Sequence, residues 1–278
     1  MLRARMWRRP FVRGAVSCVF LIHLAIWFPR GAEAYSVSAK AAIFSNSTKV
    51  IRYYGKNVHA RVLPASTTKV MTALLVLERL PMNKTVRFSK NSTGTQPSKL
   101  YARPGERFKV RDLLYAIMLR SANDAAVALA EEISGTHWQF VNLMNRRAKA
   151  LGCRNTKFAN ANGLPSKESQ YSTPYDMYLI FREAIKHPFF KTLVHTKYKT
   201  IRSTSSGRTF KLKTHNKILF FDWKRKLYGK TGYTRAAGPC FVGYLMRGDD
   251  VCIIVVFNAS RRWQDIKHIV SHYGKIQM

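Results

Sequence analysis

The sequence predicts an α+β fold, an antiparallel sheet of about five strands flanked by helices, with a helical region inserted. Three observations carry that expectation. Residues 41–57 read as a strand hairpin, residues 227–258 read as three consecutive strands, and most of the chain between has apolar residues at helical spacing. A hairpin and a meander that pair make one sheet, whose faces helices must cover. At 278 residues and 46% hydrophobic, the chain can bury a sizeable core.

The first 34 residues stand apart from that fold. Arg3, Arg5, Arg8, Arg9 and Arg13 make a positive start, Gly14 to Phe28 is apolar apart from Ser17 and His23, and Ala32-Glu33-Ala34 places small residues at both cleavage positions. That order describes a secretory leader cut after Ala34. The rival is an uncleaved anchor, but the apolar run falls short of the ~20 residues that span a bilayer. Residues 35–278 are then the working domain, expected outside the cytoplasm as a secreted protein of the periplasm or cell-wall space.

Ala41-Ala42-Ile43-Phe44 and Val50-Ile51-Arg52-Tyr53-Tyr54 flank a polar turn and give the hairpin. Pro64-Ala65-Ser66 precedes a helix carrying Val70, Met71, Leu74, Leu75 and Leu77. Residues 83–108 are polar and turn-rich. Val110 to Met118 reads as a second helix with Asp112 in its first turn, where the dipole favours an acid. Asn123 to Ile133 and Trp138 to Leu151 follow as helices, the latter stopped by Gly152. Thr173 as N-cap, Pro174 at the first helical position and Asp176 two residues on open another helix. Residues 193–213 alternate and are rich in Thr, Ser, Lys and Arg, which suggests exposed strands or a mobile hairpin. Leu227 to Thr234, Cys240 to Met246 and Val251 to Asn258 supply the meander, and Ser260 to Tyr273 closes the chain as an amphipathic helix.

Net charge is +34; a cleaved leader removes six arginines and Glu33, leaving +29. Such a surface attracts polyanions. The leader and the lack of any RNP, zinc-finger or basic-heptad pattern argue against nucleic acid. Anionic wall polymers or a membrane surface suit the expected compartment better, and the bland alternative is a solubilising surface. Cys18 leaves with the leader, so Cys153, Cys240 and Cys252 remain, an odd number and a poor disulfide framework. With a turn at Gly248-Asp249-Asp250, Cys252 falls opposite about Met246 and Cys240 near Asn258, too far apart to bridge. The cysteines read as buried apolar residues. No spacing resembles a metal site and no cofactor is implied.

Three short motifs carry chemistry. Ser66-Thr67-Thr68-Lys69 opens a helix, Ser121-Ala122-Asn123 lies between two helices, and Lys230-Thr231-Gly232 lies on a strand. Positions i and i+3 share a helix face, so Lys69 can reach the Ser66 hydroxyl. A serine is a poor nucleophile until a base takes its proton, and a lysine serves once burial near another cation has made it neutral. Lys230 can be that second cation. The Ser66 N–H, at a helix start, is free to face a developing oxyanion. Each motif alone is weak: Ser66 could cap a helix, Lys69 could be a solvated charge, Gly232 a bulge, and Ser89-Lys90-Asn91 is a second Ser-x-Asn in a polar loop. Their order and setting together are specific.

At these residues the chain resembles the D-alanyl-D-alanine carboxypeptidase family of low-molecular-mass penicillin-binding proteins, whose motif set is the one shared with class A β-lactamases. The resemblance runs over nearly all of residues 38–260. It includes Pro64 to Ala73, Pro104-Gly105-Glu106, Ser121 to Ala126, Asn162-Gly163-Leu164, Tyr171-Ser172-Thr173 and Gly229 to Thr234. It implies a β-lactamase/transpeptidase-like architecture in which Ser66 is acylated by the penultimate D-Ala of a peptidoglycan stem peptide, with Lys69 as base. Ser121 would relay a proton to the leaving amine, and Asn123 would orient Lys69 and the substrate amide. Lys230 and Thr231 would bind the terminal carboxylate, Gly232 would lie in the substrate-binding strand, and the N–H groups of Ser66 and Tyr233 would form the oxyanion hole. β-Lactam antibiotics would then acylate the same serine.

Two features depart from the family pattern. The chain stops soon after its last helix, where many relatives add a β-domain and an amphipathic anchor, so the expectation is a protein free in solution or held by charge. Arg120 also puts a charge just before Ser121, where a smaller or apolar residue is expected, and this bears on substrate preference. Three rivals stand beside the carboxypeptidase reading: a D,D-endopeptidase cutting crosslinks, a β-lactamase, and a non-catalytic wall-binding protein. The lactamase needs a glutamate in a Glu-x-x-Leu-Asn loop, a context that Glu131, Glu132, Glu168 and Glu183 all lack.

Overall fold

The first and last strands of the described residues meet in one sheet. In the computed structural model, which describes residues 35–49 and 51–278, β1 (Ala41–Asn46) and β2 (Arg52–Lys56) form the expected hairpin. β3 (Thr85–Arg87) pairs with β4 (Arg107–Lys109), and β5 (Tyr198–Arg202) with β6 (Thr209–Lys213), as two small ribbons. β7 (Tyr228–Thr234), β8 (Gly238–Arg247) and β9 (Asp250–Phe257) make the meander. The main sheet is antiparallel in the order β2-β1-β9-β8-β7. Its strand count and antiparallel pairing agree with the expected fold. The expected leader, residues 1–34, lies outside the described residues.

The helices are α1 (Lys69–Arg79), α2 (Lys90–Thr93), α3 (Val110–Tyr115), α4 (Asn123–Ser134), α5 (His137–Ala150), α6 (Pro174–Ala184), α7 (Pro188–His195) and α8 (Arg262–His268). Lys69 to Val76 of α1 are all buried, so this helix shows no solvent face over two turns. It is wrapped by α4, α5 and α6, which makes it the centre of the helical region. Cys252 to Phe257 of β9 are likewise fully buried. Side chains alternate across a strand, so an unbroken apolar run requires cover on both faces, and α6 and α8 both touch β9. Thr173 caps α6 as expected, accepting from the Asp176 N–H, with Pro174 at the first helical position. Gly152 ends α5 at φ 84°, a left-handed residue that suits glycine.

Several elements differ from expectation. The helix bearing Lys69 is entered through a 3₁₀ turn, Ala65–Thr68, with Ala65 at φ 46°. α3 runs on as a wider π turn, Ala116–Arg120, and α8 does the same over Ile269–Tyr273. Within the polar stretch 83–108 lie β3, α2 and β4, and Ser89 caps α2 while donating to Glu131 at 2.7 Å. That accounts structurally for the second Ser-x-Asn. α7 occupies part of a region read as strands. The β8–β9 turn is the two-residue Gly248-Asp249, which pairs Arg247 with Asp250. Cys252 therefore faces Leu245, one position from the place expected, and Cys153, Cys240 and Cys252 are free and buried.

Candidate active site

The Ser66 side chain sits on a strained turn held from behind. The Pro64 carbonyl accepts from the Thr67 N–H at 3.2 Å and the Thr67 hydroxyl at 2.6 Å. Gly163, at φ 80°, presses against the Ala65 carbonyl so closely that a Cβ there would lie 1.8 Å from the oxygen. The Asn160 carboxamide shapes this second turn by accepting from the Gly163 N–H at 2.6 Å, and Thr72 ties it to α1 by donating to the Ala161 carbonyl at 2.6 Å.

Lys69 is fully buried, and its Nζ lies 3.0 Å from Ser66 Oγ, 2.7 Å from Asn123 Oδ1 and 2.6 Å from the Asn162 carbonyl. Burial first, and the Lys230 charge second, push its pKa well below the ordinary lysine value, with Asp124 opposing. The partner set matters as much as the shift. The two amide oxygens only accept, so a neutral amine gives them its two protons and turns its lone pair to the Ser66 hydroxyl.

Ser121 terminates the π turn in the left-handed region at φ 62°, φ/ψ that cost a non-glycine residue about 1–3 kcal/mol. This kink turns its hydroxyl to Lys230, whose Nζ donates to Ser121 Oγ at 3.0 Å and to the Thr231 carbonyl at 2.7 Å. Lys230 is buried, and desolvation, helped by Arg262, lowers its pKa to about 7. Asn123 begins α4 and is anchored to the preceding loop: its Nδ2 donates to the Gln96 carbonyl at 2.9 Å and its backbone N–H to Ser98 at 2.8 Å. The buried Asp124 carboxylate fixes the same loop by accepting from the Leu100 and Tyr101 N–H groups at 2.8 and 2.9 Å.

β7 is the edge strand, so one side of Lys230-Thr231-Gly232-Tyr233 has no strand neighbour among the described residues. A Cβ on Gly232 would lie 3.1 Å from the Ser66 nitrogen and 3.2 Å from the Pro64 carbonyl. Gly232 is therefore a close approach of strand to turn, and no bulge interrupts the β7–β8 ladder there. Thr231 is nearly buried, whereas Tyr233 is 66% exposed at the rim. The structure thus forms two hydrogen-bonded groups, Ser66–Lys69–Asn123 and Ser121–Lys230, close enough that the Lys230 charge acts on Lys69, with Thr231, Gly232 and Tyr233 following Lys230 along β7.

Three groups escaped the sequence. The Asn162 carbonyl touches Lys69, but a backbone oxygen has no side-chain signal. Arg262 donates to the Gly232 and Cys240 carbonyls at 3.2 and 2.9 Å, and burial lowers its pKa to about 10. Nothing local in the sequence separates it from Arg261. His215 is held neutral by desolvation and by Lys230, Arg120 and Lys69. The glutamates weighed for a lactamase lie elsewhere: Glu131 on Ser89 and Asn91, Glu132 on Lys84, Glu183 on Arg147 and Lys186, and Glu168 exposed. No group of three or more metal-ligating side chains occurs among the described residues.

This sheet, with a buried lysine one helical turn from a strained serine, defines the class: a penicillin-binding protein fold of the DD-peptidase kind. The solved Streptomyces K15 DD-transpeptidase is similar at TM-score 0.80 and 28% identity, over 88% of this chain and 100% of that one. The family described as D-alanyl-D-alanine carboxypeptidase matches residues 29–261, and the chain belongs to it. D-alanyl-D-alanine carboxypeptidase DacF of Bacillus subtilis (strain 168) is 35% identical over 232 residues, 82% of this chain but 58% of the relative's length. D-alanyl-D-alanine endopeptidase of Escherichia coli (strain K12) is 29% identical over 203 residues, 72% of this chain and 64% of that protein. The chain thus spans about three fifths of both relatives.

Proposed function

We propose that the protein is a serine-type D-alanyl-D-alanine carboxypeptidase that hydrolyses peptidoglycan stem peptides through an acyl-enzyme on Ser66. The observation that carries this is the environment of Lys69: fully buried, beside a second lysine, with its third bonding direction aimed at Ser66 Oγ. Neutral Lys69 takes the hydroxyl proton as Ser66 Oγ bonds to the carbonyl carbon of the penultimate D-Ala. The carbonyl oxygen gathers charge opposite the Ser66 and Tyr233 N–H groups. Collapse breaks the C–N bond, and the proton reaches the departing amine through Ser121, which Lys230 polarises. Lys230 and Thr231 hold the leaving residue's carboxylate, Gly232 lets the strand close on the serine turn, and Asn123 fixes Lys69 and the substrate amide. Water, deprotonated by the same base, then releases the shortened peptide and restores Ser66.

On this reading residues 1–34 are a cleaved leader, residues 35–278 the catalytic domain, and the site of action the periplasm or cell-wall space. β-Lactams acylate Ser66, and the positive surface favours contact with anionic wall polymers or membrane. No helix among the described residues is long and apolar enough to cross a membrane. The test is to incubate the protein with fluorescent penicillin, map the adduct, and assay D-Ala release from a linear pentapeptide. Labelling at Ser66 with D-Ala release is expected; absence of both overturns the reading. A label that is rapidly shed would point to a β-lactamase.

A further inference from the structure

The turn that carries the Asn162 carbonyl is held from two helices. From α1, Thr72 donates to the Ala161 carbonyl at 2.6 Å and Lys69 to the Asn162 carbonyl at 2.6 Å. From α5, Asn145 brackets Phe158, accepting from its N–H at 2.8 Å and donating to its carbonyl at 3.0 Å. Earlier on the same helical stripe, His137 Nε2 accepts from the Ala161 N–H at 3.1 Å. Ala161 is fully buried, and side chains satisfy both of its backbone groups, a hydroxyl on the carbonyl and an imidazole on the N–H.

Of Thr72, Asn145 and His137, only His137 changes its hydrogen-bonding character within the ordinary pH range. A ring nitrogen accepts only while it carries no proton, so this contact requires a neutral imidazole with its hydrogen on Nδ1. Protonated, the ring has two donors and no acceptor, and Nε2–H would face the Ala161 N–H. His137 is the first residue of α5, where the helix dipole opposes positive charge. Burial acts in the same direction and Glu131 of α4 against it; burial prevails, so the ring's pKa lies below the ordinary histidine value. α1 brings Lys69 to the same turn, and residues 158–164 carry no charge.

We propose that His137 is a positioning residue for the base. Its neutral ring fixes Ala161, and through it the Asn162 carbonyl on Lys69 and Gly163 against the Ala65 carbonyl; protonation of the ring releases that turn. The inference rests on the Ser66 reading above and adds to it a group, outside the two bonded groups of the site, that controls acylation in acid. The closed turn binds the neutral ring, so a proton favours the released state. The support is complete above the ordinary histidine range and is lost as pH falls through the lowered pKa. Release costs the site twice. Lys69 gives up one of the two acceptors that keep its lone pair turned to Ser66, and the backing of the Ser66 turn slackens.

The test follows the second-order rate of acylation by fluorescent penicillin across pH in the wild-type protein, His137→Gln and His137→Leu, with thermal midpoints taken at each pH. Glutamine offers an amide oxygen near the place of Nε2 and does not titrate, so His137→Gln should acylate within about twofold of wild type at neutral pH. In acid the logarithm of the rate should fall with a slope of about two in the wild-type protein, where Lys69 and His137 both take protons, and of about one in His137→Gln. His137→Leu leaves the Ala161 N–H without its acceptor and should acylate about tenfold more slowly at every pH. Nitrogen NMR of the wild-type ring needs no variant to fold, and at neutral pH it should show Nδ1 protonated and Nε2 bare. An acid slope unchanged in His137→Gln, wild-type rates in His137→Leu, or a protonated Nε2 at neutral pH each overturns the inference and leaves the Ser66 reading standing. Absence of a penicillin adduct in the wild-type protein at every pH overturns the Ser66 reading itself, and with it the role given to His137.

Discussion

Lys69 has three neighbours and, when neutral, two protons, so the serine hydroxyl is the one partner able to donate to it. Ser66→Ala removes the proposed nucleophile and leaves both amide contacts in place. It should abolish the penicillin adduct with little change in thermal midpoint by calorimetry. The two lysines also set the pH profile. On the proposed mechanism activity requires Lys69 without its proton, so kcat/KM should rise with pH as that group, already lowered by burial and Lys230, becomes neutral. On the same mechanism carboxylate binding requires Lys230 with its proton, so kcat/KM should fall as pH passes the free-enzyme value of about 7. The result is a bell whose limbs belong to the coupled pair. A bound carboxylate stabilises charged Lys230, so the alkaline limb of kcat should lie above that of kcat/KM. In Lys230→Arg, where the charge is permanent, the alkaline limb should disappear from a pH series on a residual substrate turnover.

At the scale of elements, the site depends on two turns leaning on each other. Gly163→Ala places a methyl 1.8 Å from the Ala65 carbonyl at a left-handed φ. It should destabilise by about 1–3 kcal/mol or more in urea titration and cut penicillin acylation at least about 100-fold, because the displaced atom precedes Ser66. Thr173→Ala, which removes the α6 cap, should cost about 1 kcal/mol in the same titration and leave acylation rates alone. These elements also mark what could be read from the chain. Thr173-Pro174, Gly152 and the β7–β9 meander announce themselves through local chemistry, and Ser66 and Lys69 through a spacing that helical geometry interprets. β3 and β4 are three residues each, too short for any period to emerge. The left-handed Ser121 and the 3₁₀ entry to α1 are imposed by contacts distant in sequence, as are the Asn162 carbonyl and the placement of Arg262. α7 sits where Lys, Thr and aromatic residues fit strand and helix alike, and packing of Phe190 and Leu193 into the core decides it.

Over the whole molecule, 48 basic residues face 14 acidic ones, too few carboxylates to neutralise more than a minority of the cations. The excess charge is thus left to act on the surroundings. The protein should co-sediment with anionic wall polymer in dilute buffer and come free at about 1 M salt, where the Debye length is about 3 Å; retention at that salt would mean a contact other than charge. The cysteines are the other global feature. All three described thiols are buried and unbridged, and burial raises the pKa of Cys153 to about 12 and of Cys240 to about 11. In the folded protein, buried thiols held away from their reactive anion are poor partners for disulfide exchange. The folded domain therefore holds no disulfide among the described residues to be reduced, and a reducing agent added to the native protein should leave its thermal midpoint unaltered.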